Sequence, residues 1–210
     1  MQFLDKNGTE DGDELAFVSR AGRARAVYPS GDVYVGQFDA DGRKQGMSTY
    51  YWAAGADEEV NVEDESTYKA KYEGEYLDGK RHGSGTMVFP DGSVYEGDWA
   101  RDAREGEGLY TYPSGDMYAG HWKSNLKHGE GTYLYESNQD SHLRGTWKDG
   151  EVDAAEWVFN DGTIYRGDFS DSAPKGRGAY SYSNGNVQVG SFQPGNMPQV
   201  RPFSRKHATV

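Results

Sequence analysis

The side chains of this chain that are best suited to hold a metal ion are five histidines, because cysteine is absent. His82 and His128 each stand just before a glycine at the same position of an internal repeat, 128 − 82 = 46 residues apart. In the sheet predicted below, that separation corresponds to roughly 20 Å, whereas zinc ligands lie within about 2 to 2.3 Å of one ion. We therefore expect no metal site and no cofactor.

Acid–base and phosphate chemistry are not favoured either. Glu73 and Glu75 form a carboxylate pair, but they alternate with residues of the opposite strand face and lack the apolar pocket that separates the roles of two catalytic carboxyls. Strings such as Gly83-Ser84-Gly85 recur periodically, and no helix follows them, as a phosphate-binding glycine loop requires. No Gly-x-Ser-x-Gly, Walker or His-Glu-x-x-His motif is present. The sequence predicts a protein that is not an enzyme.

An internal repeat provides the elements that position these residues. A glycine with an aromatic residue two positions on each side, or with Leu143 or Gln188 in the leading position, recurs at Gly36, Gly74, Gly97, Gly120, Gly145, Gly167 and Gly190. The later spacings are 97 − 74 = 23, 120 − 97 = 23, 145 − 120 = 25, 167 − 145 = 22 and 190 − 167 = 23 residues. The first spacing, 74 − 36 = 38, adds about 15 residues. One period of 23 residues with a single insertion underlies the chain.

Each unit contains two runs that are typical of β-strands. A second glycine pair, such as Gly106-x-Gly108, follows the first glycine by nine residues, and an aromatic residue such as Tyr112 follows that pair. Pro90-Asp91-Gly92 and similar triplets separate the units, with proline fixing φ and glycine supplying a positive φ. These features predict tandem β-hairpins.

Strand geometry predicts what the repeat residues do. Residues i, i+2 and i+4 share a strand face, so Tyr95, Gly97 and Trp99 project together and the glycine leaves a trough for a ring from a neighbouring strand. Such rings form an aromatic ladder that is primarily core, and a single-layer sheet would leave part of it uncovered as a partner-binding surface. The candidate residues are Tyr72, Tyr95, Trp99, Tyr118, Trp122 and Trp147. The predicted fold is all-β, an elongated single-layer antiparallel sheet of hairpin repeats.

Several segments depart from the period. Residues 1–21 form a polar leader or cap, 22–193 the repeat array, and 194–210 a basic tail. The insertion at about 52–67 is expected to be a mobile loop, which is either simply solvated or docks a basic partner. Its acidic residues are Asp57, Glu58, Glu59, Glu63, Asp64 and Glu65. The fifth unit is degenerate, with Leu143 in place of tyrosine and residues 154–156 in place of the second glycine pair.

The net charge argues against two classes of partner. The formal net charge of 22 − 34 = −12 repels nucleic acid and the anionic surface of membranes. No apolar run is long enough to span a bilayer, and the start of the sequence is not a secretory signal. With no cysteine, the composition fits the reducing cytoplasm.

The motif Tyr-x-Gly-x-aromatic, followed by Gly79-Lys-Arg-His-Gly-Ser-Gly85 and then by Phe89-Pro-Asp-Gly92, resembles the MORN repeat. The resemblance extends over residues 22–193, with the units at 34–50 and 143–164 divergent. It implies a non-catalytic scaffold. MORN arrays also occur in membrane-associated adaptors of phosphoinositides or the cytoskeleton, which is the alternative that the resemblance leaves open.

Within the MORN family, the sequence is similar to the radial spoke head branch of motile cilia and flagella. The similarity lies in Gly131–Tyr135, the turn before Gly145, the fifth unit with Ala155-Glu156, and Pro174–Gly178. It implies a structural subunit in the axoneme. Its partners would be other radial spoke head proteins and, as a homodimer or heterodimer, a copy of itself or a related MORN protein.

Overall fold

The structure of the protein is a computed structural model that describes residues 2–3, 21–55, 60–138 and 141–193. The chain divides into two compact units, Met1–Pro113 and Ser114–Val210. No helix among the described residues is long and apolar enough to cross a lipid bilayer. The leader up to residue 20 (apart from residues 2–3), Asp57, Glu58 and Glu59 of the insertion, and the tail 194–210 lie outside the described residues.

The first unit is one antiparallel sheet in which each strand pairs with the next along the chain. A turn of 3-10 helix, Glu65–Thr67, precedes β5. The strands are β1 (Gln2–Phe3), β2 (Gly22–Val27), β3 (Val33–Phe38), β4 (Lys44–Ala53), β5 (Tyr68–Leu77), β6 (Lys80–Val88), β7 (Val94–Ala100) and β8 (Ala103–Thr111).

The second unit repeats this pattern, with consecutive antiparallel pairing from β9 to β15. A 3-10 turn, Glu136–Asn138, follows β10. The strands are β9 (Met117–Lys123), β10 (Leu126–Leu134), β11 (His142–Lys148), β12 (Glu151–Val158), β13 (Ile164–Ser170), β14 (Ala173–Ser181) and β15 (Val187–Phe192). The predicted all-β fold of antiparallel hairpins is confirmed.

Two kinds of turn connect the strands. Between successive repeats, Phe89 N–H donates to Ser93 O at 2.9 Å and Gly92 has a φ of 83°, as the Pro-Asp-Gly triplet predicts. Within the hairpins from β5–β6 onwards, both central residues of the turn have positive φ, for example Arg101 at 51° and Asp102 at 72°. This is the type I′ turn, whose twist matches that of a hairpin.

A β-bulge lies in the second strand of the regular repeats. In the hairpin of β7 and β8, Gly97 is opposite Gly108, but Trp99 is opposite Arg104, so the second strand carries extra residues. Gly106, in the bulge, has a φ of 70°, which a residue with a side chain adopts only with strain. The two glycines of each second pair therefore have different roles: the first forms the bulge, and the second faces the rings.

The rings form the core of each unit. Tyr95 is fully buried and Trp99 is 4% exposed, and their rings meet edge to face with centroids 5.2 Å apart. The expectation that a single-layer sheet leaves the ladder uncovered is wrong for these positions, since all the predicted ladder residues are 0–5% exposed. They are Tyr72, Tyr95, Trp99, Tyr118, Trp122 and Trp147.

The described part of the acidic insertion is folded, in contrast to the mobile loop expected from its charge. Val60, 1% exposed, packs with Val33 and Ala53 on the sheet face opposite the rings. Asn61 and Thr67 close the segment, with Asn61 N–H donating to Thr67 Oγ1 at 3.0 Å and Thr67 Oγ1 donating to Asn61 O at 3.0 Å. The buried Val60 side chain and the hydrogen bond from Ala54 N–H to Thr67 O at 3.1 Å thus hold residues 60–67 against the first unit.

Candidate functional site

The trough predicted at the repeat glycines exists in the regular repeats, where a tyrosine of the same hairpin fills it. The Tyr95 hydroxyl donates to Asp98 O at 2.9 Å, which holds the ring flat against the strands. A Cβ placed on Gly108 would lie 2.5 Å from the Tyr95 ring, and one on Gly97 would lie 2.5 Å from Gly108 Cα. The prediction that a ring from a neighbouring strand lies over Gly97 is wrong, since the ring from the neighbouring strand lies over Gly108. Gly97 instead faces the backbone of β8 and the hydroxyl of its own strand's tyrosine.

The same arrangement recurs in the other regular repeats. The glycine pairs Gly74 and Gly85, Gly120 and Gly131, and Gly167 and Gly178 lie under Tyr72, Tyr118 and Tyr165 in turn. Burial raises the pKa of the Tyr165 hydroxyl to about 12 and that of the Tyr72 hydroxyl as well. These hydroxyls are therefore protonated donors at neutral pH, which suits a structural role.

A row of cations that the sequence analysis missed lies over the rings. The row consists of Lys44, Arg81, Arg104 and Lys127. Lys44 and Arg81 are 81 − 44 = 37 residues apart, and the later neighbours are 104 − 81 = 23 and 127 − 104 = 23 residues apart. The repeat spacing could therefore have revealed them. Burial lowers the pKa of the Lys44 ammonium and the Arg104 guanidinium. Ring faces replace part of the lost hydration. The distances to ring centroids are 4.1 Å for Lys44 over Tyr50, 4.4 Å for Arg81 over Trp99, 5.3 Å for Arg104 over Tyr110 and 5.1 Å for Lys127 over Tyr118.

Three repeated acids on the sheet face opposite the rings, Glu75, Asp98 and Asp168, have a structural role that was also missed. This face, which also includes Glu73 and Glu96, is called the polar face below. Asp98 Oδ2 accepts the bulge amide of Glu107 at 3.1 Å, and Asp168 Oδ2 accepts that of Arg177 at 3.1 Å. Glu75 Oε1 accepts the amide of Ser84 at 3.2 Å. The carboxylates thus satisfy backbone donors that the bulges leave unpaired by the ladder.

We expect Asp98→Ala to lower the free energy of unfolding by about 1 kcal/mol, because the bulge amide of Glu107 loses a charged acceptor. Urea unfolding measures the change. Glu96→Ala, at an exposed position of the same strand and face, is the matched control and is expected to change stability by less than about 0.5 kcal/mol. Equal losses in the two variants would assign the effect to general surface charge.

The acidic residues predicted in the insertion lie on the surface or outside the described segments. Glu63, Asp64 and Glu65 are exposed. Asp64 Oδ1 accepts from Ser66 N–H at 3.0 Å, so it holds the 3-10 turn together. The described residues contain no group of three or more histidine, cysteine, aspartate or glutamate side chains that could hold a metal ion.

The polar face of the first unit also carries apolar side chains. Met47 is 63% exposed and Leu77 is 44% exposed. Met47 is opposite Glu75, and Leu77 is two residues farther along the same strand face, so the two apolar side chains are diagonal neighbours. Since the rings are buried, this pair is the better candidate for a contact surface.

The MORN repeat family matches residues 72–94, 95–117, 118–139 and 165–187. Four repeats of the chain thus match the MORN repeat model. The hairpins between and before them, at 143–164 and 34–50, are the divergent units that the spacing indicated. MORN repeats are typical of non-catalytic protein-interaction modules. No curated protein matches the sequence.

Two solved structures are similar to this chain at low identity. One is the TCP10 domain of Danio rerio CPAP in complex with a peptide of Danio rerio STIL, with a TM-score of 0.40 and 14% identity over 81% of this chain and 84% of that chain. The other is the SAS-4 (dCPAP) TCP domain of Drosophila melanogaster in complex with a proline-rich motif of Ana2 (dSTIL). It has a TM-score of 0.36 and 12% identity over 86% of this chain and 98% of that chain.

Proposed function

We propose that this chain is a non-catalytic scaffold that binds other proteins through its polar face. The proposal is supported by one observation: the polar and charged side chains of the repeat have structural roles. Tyrosine hydroxyls donate to backbone carbonyls, repeat acids accept bulge amides, and cations lie over buried rings. What the described surface offers a partner is a strand face with exposed acids and the Met47–Leu77 pair.

The more specific proposal is a subunit of the radial spoke head in the axoneme of cilia or flagella. Its partners would be other spoke head proteins, together with a copy of itself or a related MORN protein. The similarity at residues 131–135, in the fifth unit and at Pro174–Gly178 supports this assignment. The net charge of −12 argues against the alternative of a membrane-bound adaptor.

Localisation tests the specific proposal. The tagged full chain is expected to remain with axonemes after detergent removes the membrane, and to co-purify with spoke head subunits when axonemes are extracted. Liposomes with anionic lipids at physiological salt provide the comparison, and the protein is expected to stay in the supernatant. A protein that is washed out with the membrane, or that sediments with the liposomes, would contradict the spoke head assignment.

We expect the double variant Met47→Lys and Leu77→Lys to lose co-purification with axonemal partners while its free energy of unfolding changes by less than about 1 kcal/mol, because both side chains are exposed. Val88→Lys, which also changes an exposed apolar residue of the polar face, is the control and is expected to retain the partners. Partner recovery equal to wild type in the double variant would exclude this surface.

A further inference from the structure

β15 has the residues of the first strand of a repeat but no second strand among the described residues, where it pairs with β14 alone. Val187 is 63% exposed and Val189 is 78% exposed. A Cβ on Gly190 would meet no atom within 4 Å, whereas the equivalent Gly97 is enclosed. The sequence after β15 offers no complement, because residues 194–210 lack a Gly-x-Gly pair and contain Pro198 and Pro202 where a strand needs N–H donors.

β2 is the converse: it has the residues of the second strand of a repeat, and its outer neighbour among the described residues is the two-residue strand β1. Residues 20–24, Arg-Ala-Gly-Arg-Ala, align with Arg-Glu-Gly-Glu-Gly at 104–108, and Gly22 has a φ of 152°. Ala24 is opposite Gly36 of β3, as Gly85 is opposite Gly97. No aromatic-x-Gly-x-aromatic motif precedes residue 20.

We propose that β15 of one copy pairs with β2 of a second copy, so that the two half-repeats make one whole repeat across the junction. The register of the internal repeats places Gly190 opposite Ala24, Gln188 opposite Ala26, and Val187 opposite Val27. This inference rests on the proposed scaffold function in taking a second copy as the partner. It gives a head-to-tail contact between two different surfaces.

The chain itself contains precedents for the two unusual pairs at this junction. In the fifth unit Gly145 is opposite Ala155, and the leading residue is Leu143 where the regular units have tyrosine. At the junction, Gln188 would take the place of Leu143 and Ala24 the place of Ala155. Neither pair has a tyrosine ring that requires glycine in the opposite strand. Val187 opposite Val27, which is 48% exposed, would match the apolar pair Met117 and Leu134.

Backbone geometry leaves the outer edge of β15 able to accept a strand. Tyr182 N–H donates to Asn186 O at 2.9 Å. Hydrogen-bonded pairs recur at every second residue of an antiparallel ladder, so Gln188 and Gly190 direct their N–H groups to β14 and Val189 directs its N–H away. Among the described residues, the matching edge of β2 holds the short β1, through the pairs Gln2–Arg25 and Phe3–Ala24. The new ladder would displace it.

Cross-linking between copies tests the register. Because the chain has no cysteine, full-length Val187→Cys and Val27→Cys can be purified separately, mixed and oxidised. The expected result is a mixed disulfide dimer at a yield more than about tenfold above that of Val187→Cys mixed with Leu77→Cys, since pairing raises the effective concentration of the two thiols. A mixed yield no higher than this collision control, or a dominant Val187→Cys homodimer, would overturn the proposal.

The association of the unmodified chain gives an independent test. Light scattering over a concentration series is expected to show a mass that rises with concentration. Val189→Pro, which removes the outward N–H, should remain monomeric, while Val189→Thr, which keeps it, should associate as wild type does. A wild-type chain that is monomeric throughout, or a proline variant that associates normally, would refute the pairing. Neither measurement involves axonemes, so failure here is distinguishable from failure of the spoke head assignment.

Discussion

Replacing Gly97 by alanine is expected to lower the free energy of unfolding by about 1 to 3 kcal/mol, as overpacking of a close-packed site does. The new Cβ would lie 2.5 Å from Glu107 O, 2.5 Å from Gly108 Cα and 2.7 Å from Tyr95 Oη. The first two atoms belong to the backbone of β8, so a side-chain rotation cannot relieve the clash. The strand would have to separate from its neighbour or the Tyr95 hydroxyl would lose its acceptor. Urea unfolding of the full chain measures the loss.

Gly190→Ala, measured in dilute protein that is monomeric, is the matched control, since this glycine has the same place in the repeat but open space around its Cβ position within one chain. Glycine loses more backbone entropy on folding than alanine, so this substitution is expected to leave stability unchanged or to raise it by up to about 1 kcal/mol. Opposite signs at equivalent positions would tie the cost at Gly97 to the filled trough. A similar loss at both would mean that alanine is disfavoured in these strands for another reason.

The sequence was sufficient to predict the strands because the alternation of side chains and the turn residues indicate the same strands. Alternation places Tyr95, Gly97 and Trp99 on one face, and Pro90-Asp91-Gly92 fixes a turn through local φ preferences. The bulge was not predictable in this way. It depends on pairing with a neighbouring strand, and Gly106 differs from Gly108 only in its position relative to that partner. The turns at Arg101-Asp102 were missed because neither residue is glycine.

The positions of the charges were the least predictable part of the candidate site. Arg104 is 8% exposed over aromatic rings although arginine is usually a surface residue, and only its recurrence at the repeat period indicates a shared role. The insertion was predicted to be mobile because of its acidic residues. Residues 60–67 are folded instead, with the buried side chain of Val60 packed against the sheet. Composition averages over a segment and cannot identify one anchoring contact.

Burial of the ladder has a geometric cause. A tyrosine that stood upright on a single sheet would expose its ring, but Tyr95 lies over glycine and its hydroxyl reaches the backbone at Asp98. The Trp99 ring then packs on it edge to face, with the Arg81 guanidinium 4.4 Å from the centroid of the Trp99 ring. A single layer thereby covers its own apolar face, and partner contacts are shifted to the polar face and to the strand edges.

The second large effect is expected for Trp99→Ala, which should lower the free energy of unfolding by about 3 to 5 kcal/mol, as the loss of a buried tryptophan does. Trp99 joins successive hairpins. Its ring centroid lies 5.4 Å from that of Tyr72 on β5, and its Nε1–H donates to Gly85 O on β6 at 3.1 Å. In a repeat array the stability of each unit depends on the interface with its neighbour. The alanine variant is therefore expected to uncouple the hairpins, with a lower m-value as well as a lower midpoint.

Two further variants separate the contributions at this position. Trp99→Phe keeps a ring against Tyr72 but lacks the Nε1–H donor, so it is expected to lose less stability than alanine does and to unfold with the wild-type m-value. Trp52→Ala removes a tryptophan that is only half-buried and packs on Tyr50, and it should cost less than Trp99→Ala because its position already contacts solvent. If Trp52→Ala proved as costly as Trp99→Ala, or if the alanine variant at 99 kept a single wild-type-like transition, the stability of the first unit would not depend on ring contacts between hairpins.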